Sequence, residues 1–396
     1  MGSLLDKIYK PLITLFYMIF HIWDLERVHI QIKQEFLKYI NSEIKQKFHS
    51  KKNIYAKVSQ IEKIPFSTFR NILKRSSMIN FFVSLEIYLL ICKELNISKE
   101  DLEENIVKYK TAGGVNYIEN PILPIKITPV FDMLLAHHIG DGTVINPKLG
   151  RLPYFGYRQF DKFYRIQYIK KIESVFGDIK FKKDYIENST RPYCPPVLSS
   201  LFFKYYNIKI EDFLSDRARI PPFVFDKEKD SLLAILIAFI IDEGNIDSTQ
   251  ITIHLHNELL IKDLGKICEL LGYEHKITKG KYDTGNHDRL HILRGGMKKL
   301  WSDYGLLNKR YPQINLGWKG KKIEDSFKIY DRKIIRTKGN NELIFLLLKK
   351  EQLSVNQISE ILLMTRQGVR YHIHNLLRDK KIKIINKNES NWIYGV

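Results

Sequence analysis

The chain has 396 residues, 44% of them hydrophobic and 27% charged, which excludes a wholly disordered protein and leaves room for ~2–4 domains. Lys and Arg outnumber Asp and Glu by 20, a surplus that points to a polyanionic partner, nucleic acid before an acidic membrane surface. Three scattered cysteines, Cys92, Cys194 and Cys268, exclude a disulfide framework and a cysteine-based zinc site, and suit a reducing, cytoplasmic setting.

In chain order, the run from Pro11 to Trp23 is apolar apart from Thr14 and His21. It is shorter than the ~20 apolar residues of a spanning helix. Asp24-Leu25-Glu26-Arg27 after it makes no signal-peptide cleavage site. A buried helix or start-site extension is expected there, and no integral membrane segment. Residues 25–120 show no alternating strand pattern, so a helical domain is predicted over 1–120. Within Val28–Phe48, Ile32, Phe36, Ile40 and Ile44 recur every four residues and make one helical stripe. Ile64-Pro65-Phe66-Ser67-Thr68 resembles the turn into a repressor-like recognition helix that runs to Arg75. Ser67, Thr68, Arg70, Asn71, Lys74 and Arg75 are its expected exposed, DNA-facing side. Ser98 before Lys99-Glu100-Asp101 reads as a helix N-cap followed by first-turn acids. Thr111-Ala112-Gly113-Gly114 then breaks the pattern, through Pro121, Pro124 and Pro129.

The central region, 126–325, contains an internal repeat. Leu134-Leu135-Ala136-His137-His138-Ile139-Gly140-Asp141-Gly142 matches Leu236-Ile237-Ala238-Phe239-Ile240-Ile241-Asp242-Glu243-Gly244. Both are largely apolar, small at the third position and closed by acid-Gly. The match continues downstream. Tyr154–Gln159 and Ile251–His256 read as strands, each followed by an amphipathic helix that ends at Phe176-Gly177 or Leu271-Gly272. Leu201–Tyr205 echoes Leu300–Tyr304, and Arg219-Ile220-Pro221 echoes Arg310-Tyr311-Pro312. Small residues at Ala136 and Ala238 allow two helices to approach closely, which brings Asp141 and Glu243 together at their C-terminal ends. Gly142 and Gly244 are expected in the left-handed turn that often closes a helix. Two carboxylates at two helix C-termini repel each other and the helix dipoles. That favours a divalent cation held by oxygen ligands.

These residues resemble the paired motifs of LAGLIDADG (DOD-type) homing endonucleases. The resemblance spans about half the chain and includes Arg217-Ala218-Arg219-Ile220-Pro221, similar to a basic-Ile-Pro segment of the family. It implies an α+β fold of two αββαββα repeats, about 126–225 and 226–325, with pseudo-twofold symmetry and two saddle-shaped sheets on double-stranded DNA. It implies a monomeric core in which Asp141 and Glu243 bind catalytic Mg²⁺. Basic residues later in each repeat are implied to support catalysis, Arg217 or Arg219 in the first and Lys309 or Arg310 in the second, with Lys319 a further candidate. The sequence departs from the family at Ile139 and Ile241, where its name has an acid, and at His137 and His138, where it is usually apolar. The chain lacks the terminal residues of an intein and is expected to be free-standing.

Ile251, Ile253 and Leu255 alternate with Thr252, His254 and His256, and Leu290 and Ile292 with Arg289 and His291. The period of two sends the apolar set to the core and the polar set outward, where a sheet can read the major groove. Tyr154, Arg158 and Lys182 are the corresponding outward groups of the first repeat. After a basic linker near 333–338, residues 336–396 resemble a winged helix-turn-helix. A helix is predicted over Asn341–Lys350, a second after the cap Ser354, and a third over Thr365–Arg378. A hairpin of Lys381–Ile385 and Trp392–Tyr394 follows. Thr365 would cap the recognition helix, and Arg366, Gln367, Arg370, Tyr371 and His374 would face DNA. The three blocks 1–125, 126–335 and 336–396 carry +5, +9 and +6, so each suits the same polyanion. The preferred reading is a Mg²⁺-dependent DNA endonuclease. A non-cleaving DNA-binding transcription regulator on the same core, and an intron RNA maturase, stand beside it.

Overall fold

The computed structural model describes residues 18–75, 78, 81–146, 151–181, 189–213, 217–282, 285–330, 339–362, 364–388 and 391–396. Residues 11–17, Lys182 and the basic linker at 333–338 lie outside them. No helix among the described residues is long and apolar enough to cross a membrane. The end of the apolar N-terminal run is not helical as expected. Ile19–Phe20 pairs antiparallel with Ile125–Lys126, and Ile22–Asp24 is a single 3-10 turn.

The all-helical expectation for residues 25–120 is corrected. Val28–Ile32, Val83–Ser84, Ile106–Thr111 and Tyr117–Glu119 are strands. With Asp178–Lys180 of the central region they form a five-stranded antiparallel sheet, in the order 83–84, 28–32, 106–111, 117–119, 178–180. The misreading has a local cause. Val28, Ile30 and Ile32 satisfy a period of two, but Ile32 also fits the four-residue stripe of the helix behind it. That helix begins only at Gln34, runs to Phe48 and buries Phe36, Leu37, Ile40 and Ile44. Helix Phe66–Arg75 buries Phe69, Ile72 and Leu73 and exposes Ser67, Thr68, Arg70, Asn71, Lys74 and Arg75.

The two motif helices are Pro129–Ile139 and Lys229–Glu243, and they pack against each other. Thr128 caps the first through the Phe131 N–H, with Pro129 at its first position. Residues 129–138 and 231–241 are buried throughout. A helix apolar on all sides has no other stable place in a water-soluble fold.

Gly142 and Gly244 do not adopt the expected left-handed conformation; Gly244 is extended, with φ −76°, and neither has a positive φ. Close approach explains them instead. A Cβ on Gly142 would stand 1.9 Å from the His138 carbonyl oxygen, and one on Gly244 2.5 Å from that of Ile240. The second helix thus turns into its strand with no spacer, and the first with only Gly140 and Asp141 between them. Gly142→Ala is expected to cost about 1–3 kcal/mol through forced backbone displacement, read as a lower midpoint in urea unfolding.

The second repeat carries a four-stranded antiparallel sheet, ordered Gly244–Ile246, Gln250–Leu255, Gly285–Leu293, His275–Tyr282. Helix Glu258–Leu271 ends at Gly272 with φ +69°, where left-handed geometry is needed. The first repeat is less regular. Gly142–Ile145 pairs with Tyr154–Tyr157, and Gly156 forms a single bridge to Tyr193. Asp178–Lys180 follows helix Lys162–Phe176 as His275–Tyr282 follows its counterpart, but joins the N-terminal sheet instead. Two matching saddles are therefore not present among the described residues.

One apolar core runs from Ile22 to Ile323, and a second gathers Ile344, Leu348, Leu353, Ile358, Val369, Ile373, Leu376, Ile382 and Tyr394. The second belongs to helices Asn340–Lys350, Val355–Leu362 and Arg366–Arg378 with a three-stranded sheet ordered 353–354, 391–395, 383–388. Ser354 and Gln357 cap each other reciprocally, and the Thr365 hydroxyl accepts the Gly368 N–H at 3.0 Å.

Candidate active site

Each motif helix delivers its last acid to the point where helix becomes strand. Lys229–Glu243 runs straight into Gly244–Ile246, and Pro129–Ile139 passes through Gly140 and Asp141 into Gly142–Ile145. The helices come close at these ends, since a Cβ on Gly140 would stand 3.2 Å from Asp242 Oδ2. Asp141, Asp242 and Glu243 therefore share one electrostatic environment. Burial first, then the charges of Asp242 and Glu243, push Asp141 up to about 8. Glu243 is raised by burial and by Asp242.

Asp242 takes the place that Gly140 holds in the first motif, and its side chain is fully buried. Its Oδ1 accepts the Tyr157 hydroxyl at 2.7 Å, and its Oδ2 lies 2.9 Å from His137 Nδ1. Burial pushes it up to about 7, against the Tyr157 hydrogen bond and the charges of Lys171 and Lys319. Burial also drives His137 well below its ordinary value, so the ring is neutral, and its Nδ1 and Asp242 Oδ2 share one proton. Both oxygens of Asp242 are thus engaged, and it ties the second motif helix to the first and to strand Tyr154–Tyr157.

Lys319 supplies the compensating charge. It sits at the start of helix Trp318–Tyr330 and is 7% exposed. Its Nζ donates to the carbonyl oxygens of Ile240 at 2.9 Å, Ile241 at 2.6 Å and Gly244 at 2.8 Å. These groups end the second motif helix, where carbonyls run short of backbone donors, although that of Ile240 also accepts the Gly244 N–H. Burial lowers Lys319, while Asp242, Glu243 and Asp141 pull it back up. Lys171, wholly buried, is lowered to about 8 by burial and drawn up by Asp242.

Each repeat also sets a basic group beside its own acid. The Arg158 N–H donates to the Asp141 carbonyl at 2.9 Å, and the Arg158 charge lowers the Asp141 carboxyl. His256, just beyond strand Gln250–Leu255, acts on Glu243 in the same way. From Glu243 an open groove of about 440 Å³ extends over the second sheet, lined by Asn245, Gln250, Thr252, His254, Arg289 and His291. Cross-strand register sets Thr252 opposite His291 and His254 opposite Arg289, with Ile251 opposite Ile292 and Ile253 opposite Leu290 on the core side. The His291 ring is held between the hydroxyls of Thr252 at 3.2 Å and Thr278 at 2.8 Å.

No family model matches this chain, and no curated protein matches it. Among solved structures, one described as "Structures and dynamics of mesophilic variants from the homing endonuclease I-DmoI" is similar in part. It shares 15% identity at a TM-score of 0.31, over 43% of this chain and 93% of that one. At that score the likeness decides neither fold nor activity.

The geometry sorts the basic residues named from sequence. Arg219 is committed elsewhere, in a two-pronged ion pair with Asp263 at 2.6 and 2.7 Å. Arg310 pairs with Asp230 at 2.6 Å. Arg217 and Lys309 are exposed, and neither charge figures among those acting on the three acids. Lys319 is the residue that the structure brings to the carboxylates. Asp263→Ala is expected to cost about 1–3 kcal/mol, because it also strips the acceptor of the Ile220 N–H. Thermal unfolding reads that loss. Tyr154 is half-buried and its ring packs on Tyr193 at 5.5 Å. Sequence reasoning missed Asp242, Tyr157 and Lys171. A signal existed for the first: the second motif ends in two acids, and the first has a histidine among apolar neighbours. Nothing separates buried Lys171 from exposed Lys170 except helical phase.

Proposed function

We propose that the chain is an endonuclease that hydrolyses phosphodiester bonds of double-stranded DNA at Asp141 and Glu243. The reading rests on one observation: the final acids of two sequence-matched helices meet at one spot, which opens into a polar groove. The donor set suits Mg²⁺. Asp141 and Glu243 offer hard oxygens and carry repulsion that a cation would relieve. Asp242 is withdrawn into its bonds with Tyr157 and His137, and the carbonyls of Ile240, Ile241 and Gly244 are taken by Lys319. No group of three or more His, Cys, Asp or Glu able to hold a metal occurs among the described residues, so water and phosphate oxygens would complete the shell. A bound divalent ion supplies water activation and stabilisation of the leaving oxygen.

The chain's own residues do the rest. Arg158 and His256 meet phosphates on either side of the acids. His254 and Arg289 present donors to base edges, and an arginine in the major groove can bond guanine through two nitrogens. A second reading, a regulator that binds and does not cut, draws support from the C-terminal module. There Arg366, Gln367, Arg370, Tyr371 and His374 all stand exposed on helix Arg366–Arg378, behind the Thr365 cap, where a recognition helix would present them to DNA.

A selection on a randomised duplex library in Mg²⁺, in Ca²⁺ and in chelator, at one fixed salt concentration, separates these readings. Site-specific cuts in Mg²⁺ alone are expected. Enrichment of one site with no cuts in any condition would replace the enzyme with the regulator. Preference for structured RNA over duplex DNA would favour the maturase.

A further inference from the structure

Three large rings stand in solvent next to the acid cluster: Phe160 is 70% exposed, Trp318 46% and Phe163 41%. A single exposed ring needs no explanation; these are distinguished by what holds them. The loop bearing Phe160 is fixed from beneath. Buried Arg165 donates through Nη1 to the carbonyls of Gln159 at 3.0 Å and Phe160 at 2.6 Å, and Asp161 accepts the Phe163 N–H at 2.8 Å. The Phe160 ring nevertheless faces outward, with the Arg158 guanidinium 5.1 Å from its centre. This is the Arg158 whose charge acts on Asp141.

The other rings are anchored through the second repeat's tail. Gly317 has φ +54°, and a Cβ there would stand 2.5 Å from Phe163 Cε1, so Phe163 lies directly on that turn. Trp318 comes next. Tyr164 lies 5.3 Å from Phe163 and 6.3 Å from Trp318, and its hydroxyl donates to the Leu316 carbonyl at 3.0 Å. Lys322 Nζ is 4.6 Å and Lys319 Nζ 5.5 Å from the Trp318 ring. Both ring sets therefore attach to residues whose charges act on the acids, Arg158 on one side and Lys319 on the other.

We propose that Phe160, Phe163 and Trp318, with Arg158 and Lys322, form a stacking platform for unpaired bases of a DNA strand beside the carboxylates. A base inside a duplex has no free face, whereas an unpaired base can stack on any of these rings. Stacking of this kind is sequence-tolerant and contributes about 1–3 kcal/mol per base. Charge complementarity identifies the occupant: Arg158 lies at Phe160 and Lys322 at Trp318, and the chain carries +20 overall. An apolar protein surface would leave those cations unmatched, while the phosphates between successive bases match them. The inference rests on the DNA reading and adds that the strand at the acids is locally unpaired.

The test uses the full chain in chelator at fixed salt. Fluorescence anisotropy compares a labelled duplex, the same duplex with a short unpaired centre, and the matching RNA. Wild type is expected to prefer the unpaired DNA by about tenfold. Phe160→Ala and Trp318→Ala should each remove most of that preference and leave duplex affinity unchanged; Trp318→Phe should retain it. Duplex binding with no preference for the unpaired DNA overturns the platform alone. An equal loss for both DNAs in the alanine variants overturns it too, as does tighter binding of the RNA. No binding to either DNA overturns the DNA reading itself.

Discussion

Replacing Asp141 with Asn and Glu243 with Gln together should lower Mg²⁺-dependent cleavage by about a thousandfold or more and leave duplex affinity within a few-fold. The size follows from the several kcal/mol of transition-state stabilisation that metal-ion catalysis contributes, at about 1.4 kcal/mol per factor of ten. Both substitutions keep shape and hydrogen-bonding capacity, so the helix ends stay in place. The same variants should be more stable than wild type in chelator at alkaline pH. Asp141 is pushed up to about 8 and Asp242 to about 7, and Glu243 is raised as well. Acids with raised folded values bind protons more tightly in the native state. Their contribution is therefore most favourable below the ordinary carboxylate range and is lost as pH climbs from there to about 8. A neutral amide at Asp141 escapes that loss. Melting temperatures from pH 5 to pH 9 should diverge in favour of the variant as pH rises, by an amount corresponding to a few kcal/mol at most. Retained cleavage in the double variant would remove these acids from the chemistry. Parallel melting curves would mean that neither burial nor mutual repulsion raises these carboxylates in solution.

How much of this was legible depended on whether a signal was local. Helix caps are local: Ser98, Ser354 and Thr365 cap as their positions suggested. The alternation of Ile251, Thr252, Ile253 and His254 is local too, and the register preserves it. The meeting of the two motif helices was readable because the repeat carried it across 102 residues of separation. What failed was decided by partners distant in sequence. Val28–Ile32 is a strand because Ile106–Thr111 lies beside it, and the short period of two at Val28, Ile30 and Ile32 competes with the helical stripe that shares Ile32. Asp178–Lys180 left its repeat to complete the N-terminal sheet for the same reason. Arg219 looked catalytic from its motif, yet Asp263, 44 residues away, holds it. Asp242 was passed over because the repeat aligned it with Gly140, and only the crossing of the helices shows His137 and Tyr157 meeting it.

Lys319→Met should be the most destabilising single change at the site, costing about 3–5 kcal/mol. Methionine fills the volume but donates no hydrogen bond. The carbonyls of Ile240, Ile241 and Gly244 would lose their shared donor at the end of a fully buried helix. Asp141, Asp242 and Glu243 would at the same time lose a cation that pulls each of them toward ionisation. The two losses depend differently on pH. Orphaned carbonyls cost the same at any pH, whereas unbalanced carboxylates cost only when ionised. The deficit relative to wild type should therefore grow from pH 5 to pH 8. Adding Asp141→Asn and Glu243→Gln to Lys319→Met should recover part of the alkaline deficit and little of the acid one, a coupling that a double-mutant cycle reads directly. A deficit independent of pH and of the two acids would reduce Lys319 to a helix cap. The expected coupling would make Lys319 the reason that three carboxylates can be held together before any metal or phosphate arrives.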